Sequence, residues 1–303
     1  MPAPERGLSL IELMVGLAVG LGLVAVVLQG FAASSGNASL NSLVSESQTN
    51  GRYALDLLKR EVRHAALSPM VWDATQIDVN GSAAGIDFGC GVGMTTQVRQ
   101  GLQASNNSNP YPASCLAGGT DRSYLRGDVL TLRRLGLDAV TSHSASAPYA
   151  RVSYGAANVF LGGETATPLP APRYDYPLVS DVYYINAFTN SASESPQVPA
   201  LYRLTLGSGA SPTLAPQLVA SNVEHMRMQF GVTDASGNLR FLSSSAVTDW
   251  TQVVSARVWL LVRASTPEAG FASGSFTLGD LSYTPGDNYR RVVVSSTIDL
   301  RNR

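Results

Sequence analysis

Glu12 is the residue whose type and position most clearly point to chemistry, because it lies at the start of a long apolar stretch. No charged residue occurs from Leu13 to Ala33, and Gln29 is the only strongly polar side chain there. A carboxylate in an apolar helix costs a few kcal/mol unless it stays near the membrane interface or finds a partner. We therefore interpret Glu12 as a candidate for charge pairing with another group.

The two cysteines, Cys90 and Cys115, are the second candidate for chemistry. An even pair in an exported chain is typical of a disulfide, and the chain-entropy model gives a loop of this size roughly 3 to 3.5 kcal/mol of stabilisation. The alternative is a pair of free thiols in a cytosolic protein. Neither cysteine belongs to a CxxC motif and the histidines are scattered, so we predict no metal site and no cofactor.

The composition favours an extracytoplasmic, β-rich body over a helical bundle. Of the 303 residues, 45% are apolar and only 14% are charged, while 28 glycines and 16 prolines provide many turns. The formal net charge of −1 and the absence of long basic runs argue against a nucleic-acid partner. The sequence contains no G-x-S-x-G elbow, no HExxH motif and no recognisable carboxylate pair, so we predict that the chain is not an enzyme.

The apolar stretch at residues 13–33 is long enough to cross a membrane as a helix, since about 20 helical residues span roughly 30 Å of hydrocarbon. An ordinary signal peptide is the main alternative, with residues 32–34 as its cleavage site. Its apolar region would be shorter, about 7 to 15 residues. Within the stretch, Gly16 and Gly20 form a G-x-x-x-G spacing that lets a second helix approach closely, which predicts helix packing.

The same helix is predicted to continue beyond the apolar stretch, because no proline follows before Pro69. From Tyr53 the pattern becomes amphipathic. Its apolar side comprises Leu57, Leu58, Val62 and Ala65 or Ala66. The helix is expected to end near Ser68, since the residue before a proline disfavours helical geometry. The predicted organisation is a leader at residues 1–7, a transmembrane half-helix at 8–33, an amphipathic half-helix at 34–68 and a β-rich globular domain at 69–303.

Beyond Pro69, short runs of β-branched and aromatic residues alternate with turn residues, which is typical of β-strands. The predicted strands are Gly85–Phe88, Asp128–Arg134, Ala150–Tyr154, Val179–Phe188, Ala200–Leu206, Val223–Val232, Val253–Val262 and Arg291–Leu300. Turn residues at 234–238 predict a hairpin with residues 239–242. Residues 103–120 and 162–177 are predicted to be long loops. Strands and helices do not alternate, so the pattern favours an α+β fold over a doubly wound α/β fold.

Residues 7–13, with the sequence Gly-Leu-Ser-Leu-Ile-Glu-Leu, resemble the cleavage and methylation motif of type IV prepilins. The resemblance implies that a dedicated prepilin peptidase cuts after Gly7 and that the new N-terminal residue, Leu8, is N-methylated. Phenylalanine is usual at that position in the family, so Leu8 departs from the motif. The resemblance also implies that Glu12 pairs with the N-terminal amine of a neighbouring subunit during assembly.

Three body segments, residues 51–65, 223–232 and 249–263, and the ending at 289–302 resemble PilW-type minor pilins. The resemblance implies a pilin-like α+β fold in which the long N-terminal helix packs on a large antiparallel β-sheet body. It implies a minor pilin that helps to prime type IV pilus assembly and to form the tip complex. The implied partners are other minor pilins, the major pilin, the prepilin peptidase and a large adhesin-like tip protein. The implied location is the inner membrane, with the body in the periplasm, and the pilus tip after assembly.

Two other functions stay open on the sequence alone. A minor pseudopilin of a type II secretion system would share both the motif and the fold. A membrane-anchored exported protein with an adhesin role is the other alternative. In that case exposed aromatic side chains would bind the ligand, and the candidates are Tyr111, Tyr124, Tyr174 and Tyr176.

The charged residues of the body are predicted to have structural roles. The arginines of the predicted strands are interpreted as a solvated sheet face, where charge also deters unwanted strand pairing. No loop has the D-x-[DN]-x-[DN]-G spacing of a calcium site. Four loop residues are therefore interpreted as turn residues: Asp234, Asn238, Asp280 and Asp287.

Overall fold

The computed structural model describes residues 9–94, 96–118, 122–207, 209–234 and 236–300. These residues form a long helix, α1 (Leu10–Arg63), a short helix, α2 (Ala113–Leu116), and fifteen β-strands. The chain divides into two compact units, residues 1–46 and 47–303, so α1 begins in the first and ends in the second. The strands are β1 (Ile77–Val79), β2 (Leu102–Ala104), β3 (Ala117–Gly118), β4 (Arg122–Leu135), β5 (Pro148–Ser153), β6 (Ala156–Leu161), β7 (Tyr174–Asn186), β8 (Ala200–Leu206), β9 (Leu214–Ser221), β10 (Val223–Thr233), β11 (Leu239–Ser243), β12 (Val253–Arg263), β13 (Phe276–Leu278), β14 (Leu281–Tyr283) and β15 (Arg291–Asp299).

The larger sheet contains nine strands. Its main path has the order β1-β6-β5-β7-β4-β2, β3 pairs with β4, and β8 pairs with both β7 and β9. Among the strand pairs that the structure describes, β1 with β6 is parallel and the others are antiparallel. The first residues of β7 pair with β5 and its last residues pair with β8, so β7 connects the two parts of this sheet.

A second, four-stranded sheet has the order β11-β10-β12-β15, and β13 and β14 form a separate two-stranded hairpin. The predicted hairpin between β10 and β11 is present. Its turn is closed by Asp234, whose Oδ1 accepts hydrogen bonds from the amides of Ser236 and Asn238, each at 2.9 Å. This local capping is the reason that aspartate favours such turns.

The last turns of α1 contribute to the main core of the body. Leu58 and Val62, four residues apart on one face of the helix, are completely buried, as the amphipathic pattern predicts. A Cβ added at Gly51 would lie 3.0 Å from a methyl group of Val262 and 3.1 Å from one of Val294. The absence of a side chain at Gly51 therefore lets the helix lie close to β12 and β15.

The predicted α+β class is confirmed: an apolar N-terminal helix is followed by a large, mostly antiparallel sheet body. Each strand predicted from Asp128 onward overlaps an observed strand. The strand predicted at Gly85–Phe88 is wrong. There, Asp87 Oδ1 accepts hydrogen bonds from the amides of Gly89 at 2.7 Å and Gly91 at 3.0 Å, so the side chain stabilises a turn instead.

Helix α1 ends at Arg63, five residues before the predicted end near Ser68. Ala66 has a left-handed φ of 60°, and its amide donates to the carbonyl of Arg133 at 3.0 Å. A tertiary hydrogen bond to β4 thus takes the chain out of the helix before the proline can do so.

Candidate functional site

Helix α1 begins with two reciprocal hydrogen bonds between Ser9 and Glu12. The Ser9 amide donates to Glu12 Oε2 at 2.9 Å, and the Glu12 amide donates to Ser9 Oγ at 3.3 Å. This S-x-x-E capping box satisfies amides that the first turn of a helix leaves unpaired. The spacing is visible in the sequence, and it gives Glu12 a role within its own helix that the sequence analysis did not assign.

Beyond the cap and as far as Phe31, the surface of α1 is apolar and exposed. The 22 residues Leu10–Phe31 have the length and composition of a membrane-spanning helix, and none of the apolar segment is buried within the chain. Leu10 is 80% exposed and Phe31 is 74% exposed. Soluble monomeric proteins rarely expose a continuous apolar surface of this size, so this segment requires lipid or another apolar partner.

The predicted helix-packing glycines lie in this exposed segment. A Cβ added at Gly16 or Gly20 would meet no atom within 4 Å. The chain itself therefore does not use the missing side chains for close packing. The space beside both glycines is open to a helix from outside, and the packing role of Gly16 and Gly20 stays a prediction.

The predicted cleavage site lies outside the described residues, because these begin at Ser9. Cleavage after Gly7 and methylation of Leu8 therefore stay predictions. The structure places Glu12 in the first turn of α1, next to Ser9.

The predicted disulfide is present in the body and connects Cys90 with Cys115, whose Cα atoms are 4.7 Å apart. Both cysteines are buried in a core cluster that also contains Val129 of β4 and Tyr184 of β7. The disulfide thereby fixes a long loop against one face of the larger sheet, and this loop contains α2. The disulfide belongs to the second compact unit of the chain, and Glu12 belongs to the first.

The four tyrosines considered as ligand-binding residues have mostly structural contacts. Tyr111 packs on the disulfide cluster, and its hydroxyl is hydrogen-bonded to Thr131 Oγ1. Tyr124 donates to the carbonyl of Gly127 at 2.7 Å. Tyr174 is 48% exposed. The remaining tyrosine, Tyr176, packs against the β1-β5-β6 core. These contacts give no aromatic surface shared by the four.

Arg227 contradicts the interpretation of the strand arginines as a solvated face. Its side chain is 5% exposed and donates to Asp128 Oδ1 at 2.9 Å and to Asp280 through two hydrogen bonds of 2.8 and 2.6 Å. Asp128 is fully buried and also accepts the amide of Met228 at 2.7 Å. This group connects β4, β10 and the β13-β14 hairpin, so Asp280 is more than a turn residue.

Arg291 forms a second buried ionic group. Its guanidinium is fully buried and donates to Glu224 at 2.5 Å and to both oxygens of Asp287 at 2.6 Å. Removing one partner from such a group leaves an uncompensated charge, which typically costs about 3–5 kcal/mol. Asp287 is therefore also more than a turn residue. Sequence spacing gave no signal for Asp128, Asp280 or Glu224, which lie 53 to 99 residues from their arginine partners. Asp287 precedes Arg291 by only four residues, but the sequence analysis interpreted it as a turn residue.

His225 is buried next to these ionic groups. Burial lowers the pKa of His225 to about 4, and the nearby cations of Arg126 and Arg227 act in the same direction. The imidazole is therefore neutral near pH 7. In the part of the chain that the structure describes, no group of three or more histidine, cysteine, aspartate or glutamate side chains is arranged to hold a metal ion.

Comparison with known proteins finds a family similarity in the second part of the body. Residues 182–302 match the family model of PilW, type IV pilus-assembly protein W, which confirms the resemblance over that range. A solved structure of a type IV-like pilin from Thermus thermophilus aligns with 87% of this chain and 96% of its own length, at 13% identity and a TM-score of 0.34. No curated protein shows significant similarity to the chain.

Proposed function

We propose that this chain is a minor pilin of a type IV pilus that helps to prime pilus assembly. The observation that carries the proposal is the division of α1. Its segment Leu10–Phe31 is apolar and exposed, while Leu58 and Val62 of the same helix are buried in the body. A subunit held first by lipid and later by neighbouring helices needs this division. The match of residues 182–302 to a pilus-assembly family supports the same role, in which the chain is a structural subunit and not an enzyme.

Maturation begins, on this proposal, with cleavage after Gly7 by prepilin peptidase and N-methylation of Leu8. The cut precedes Ser9, so it leaves the hydrogen bonds between Ser9 and Glu12 intact. The new amine then lies close in sequence to the carboxylate of its own chain. Pairing with a neighbouring subunit must therefore compete with the intrachain cap.

Glu12 then selects the stagger between subunits. In the single chain its carboxylate accepts a hydrogen bond from the neutral amide of Ser9. A charged N-terminal amine of the next subunit offers a stronger, charge-assisted hydrogen bond. Both charges would lie in apolar surroundings, where an unpaired charge is costly, so only the stagger that pairs them avoids this cost. Glu12 thus sets the register between subunits more than it adds strength.

The proposed partners are other minor pilins, the major pilin and a large adhesin-like protein at the tip. Before assembly the chain crosses the inner membrane once, with the body in the periplasm. After assembly it lies in the pilus, at the tip. The exposed segment Leu10–Phe31 would contact lipid in the first state and other helices in the second.

The intact mass of protein extracted from membranes tests maturation. We expect a product that begins at methylated Leu8. A product that begins at Ser34 or Ser35 would contradict the proposal, because it would identify residues 32–34 as an ordinary signal-peptide cleavage site.

The variant Glu12→Gln tests the charge pair separately from the helix cap. Glutamine also serves at this position of a capping box, so the cap is kept while the charge is removed. We expect Glu12→Gln and Glu12→Ala to have similar effects. Both should reduce the number of surface pili and the crosslinking to other pilins. The matched control is Asp56→Asn, which removes one negative charge from a side chain that is 72% exposed on the later turns of α1. Assembly that survives Glu12→Gln but fails with Glu12→Ala would assign Glu12 to the cap alone.

Deletion of the gene separates this function from that of a type II secretion pseudopilin. We expect loss of surface pili with normal enzyme secretion. The opposite phenotype, with crosslinks to secretion-system subunits, would overturn the pilus role while leaving the prepilin assignment in place.

A further inference from the structure

A polar cavity of about 310 Å³ lies beside β2 and β4, next to the disulfide between Cys90 and Cys115. Its lining includes Thr131 and Arg133 of β4, Gln103 of β2, Cys90 of the disulfide and Tyr111. Gln103 is directly paired with Thr131, and Arg133 lies two residues further along β4, so all three side chains are on one face of the sheet. A cavity of this volume is at the lower end of the range of small-molecule sites.

Arg133 is the unusual residue of this cavity. It is 1% exposed, and its guanidinium makes two hydrogen bonds with described residues, from Nε to the carbonyl of Met94 and from Nη1 to that of Gln100 at 2.9 Å. A guanidinium has five N–H donors, so most of them have no protein acceptor among the described residues. No carboxylate in that part of the chain forms an ion pair with Arg133.

Two other buried arginines among the described residues have carboxylate partners. Arg227 and Arg291 each form ion pairs with two carboxylates. Arg263 also has no ion pair among the described residues, but it stacks on the ring of Tyr289, and Glu224 and Asp287 favour its positive charge electrostatically. A buried cation without a counter-ion is costly, and the cavity is where the missing negative charge can enter.

Two hydroxyl groups add to the hydrogen-bond donors that Arg133 offers in the cavity. The hydroxyls of Tyr111 and Thr131 are hydrogen-bonded to each other, and whichever of them accepts in that bond keeps its own proton free to donate. Burial raises the pKa of Tyr111, so its hydroxyl stays protonated at neutral pH. The cavity therefore presents a cation, a hydroxyl donor and the amide of Gln103, which is a donor set for an oxyanion.

We propose that this cavity binds a small oxyanion, with a carboxylate or phosphoryl group against Arg133 and hydrogen bonds from the Tyr111–Thr131 hydroxyl pair and Gln103. The guanidinium fork of Arg133 matches the two oxygens of such a group. The proposal does not depend on the pilin function, because every residue that carries it belongs to the body.

The test uses the full chain in detergent micelles, with acetate, phosphate or chloride as the probe at constant ionic strength. We expect acetate or phosphate, but not chloride, to raise the midpoint of thermal unfolding by about 5 °C when present at about 100 times its Kd. The preferred probe distinguishes a carboxylate site from a phosphate site. Equal responses to all three anions, or no response, would overturn the proposal.

The variant Gln103→Glu supplies the missing carboxylate from within the chain. We expect it to raise the unfolding midpoint in chloride buffer and to weaken the response to the preferred anion at least tenfold. Gln76→Glu is the matched control, because it makes the same charge change at an exposed site away from the cavity, and it should keep the wild-type response. An unfolding midpoint that falls in Gln103→Glu, together with an unchanged anion response, would contradict the proposal.

Arg133→Lys is the second variant, and it keeps the positive charge but removes the planar fork. It avoids complete removal of a side chain that also holds the carbonyls of Met94 and Gln100. We expect a folded protein with at least tenfold weaker binding of the preferred anion. Binding at wild-type strength would exclude Arg133 as the recognition residue.

Discussion

The two halves of α1 have the same secondary structure and opposite environments. In the first half, apolar side chains such as Leu17 and Leu21 are 58% and 67% exposed, and glycines meet open space. In the second half, Leu58 and Val62 are completely buried, and Gly51 brings the helix close to two strands. The second half is therefore fixed by its own chain, whereas the first half, on the proposed function, gains its apolar contacts from lipid or neighbouring helices.

The largest test of this comparison is Leu58→Ala. Because Leu58 is fully buried, we expect the free energy of unfolding of the body to fall by about 2–5 kcal/mol. Denaturant unfolding followed by tryptophan fluorescence measures this change. The matched control, Leu17→Ala, should change it by less than about 0.5 kcal/mol. Equal losses for the two variants would remove the distinction between the halves.

A charge in the first half tests the requirement for an apolar partner. Leu21→Asp should disfavour membrane insertion by roughly 2.5–3.5 kcal/mol, the cost of an aspartate at the centre of a membrane helix. The fraction of protein recovered in membranes measures this effect. Tyr53→Asp makes the same kind of change at a residue that is 58% exposed in the second half, and it should leave that fraction unchanged. If Leu21→Asp also stays in membranes, the segment does not insert as proposed.

Acid should weaken the body through His225. Its pKa is about 4 in the folded protein and 6.5 ordinarily, so between these values the unfolded chain binds a proton that the folded chain does not. Stability is therefore lost as the pH falls through this window, by about 3 kcal/mol for a shift of this size. Burial raises the pKa of Asp128 and Asp181, which gives the opposite trend.

The difference in unfolding free energy between wild type and His225→Gln isolates the histidine contribution, because the aspartates are common to both proteins. Relative to the variant, wild type should lose about 3 kcal/mol between pH 6.5 and 4. Parallel pH curves for the two proteins would contradict the prediction.

The smallest effect is expected from valine in place of glycine. At Gly51 the new side chain would collide with Val262 and Val294, and such overpacking typically costs about 1–3 kcal/mol. At Gly16 the same change meets open space within the chain. Gly16→Val should therefore leave the unfolding of the body unchanged and reduce the number of surface pili. A normal number of pili would show that Gly16 is not needed for packing between subunits.

The sequence predicted the elements that follow a regular period. The amphipathic turns around Leu58 and the long strands β10, β12 and β15 were predicted because apolar residues recur at helical or strand spacing. The short strands β1, β2 and β13 have three residues each, and their pairing is decided by tertiary contacts, so no period exists to detect. The false strand at Gly85–Phe88 arose because the pattern does not reveal that Asp87 caps a turn.

The candidate sites also differ in whether a local sequence pattern reveals them. The Ser9–Glu12 cap is a local spacing, and it can be read from the sequence. The surroundings of Arg133, Arg227 and Arg291 cannot be read from the sequence. In the sequence these are similar arginines in strands, and only the fold decides that two of them meet carboxylates while Arg133 faces a cavity.

The disulfide sets an order of events for the newly made chain. Cys90 and Cys115 fix the loop that forms one wall of the cavity at Arg133, and disulfides persist in oxidising compartments. In a reducing cytosol the two thiols would stay unlinked, and that wall would lack its covalent attachment. On the proposed route, the cavity is therefore completed only after the body has been exported and oxidised.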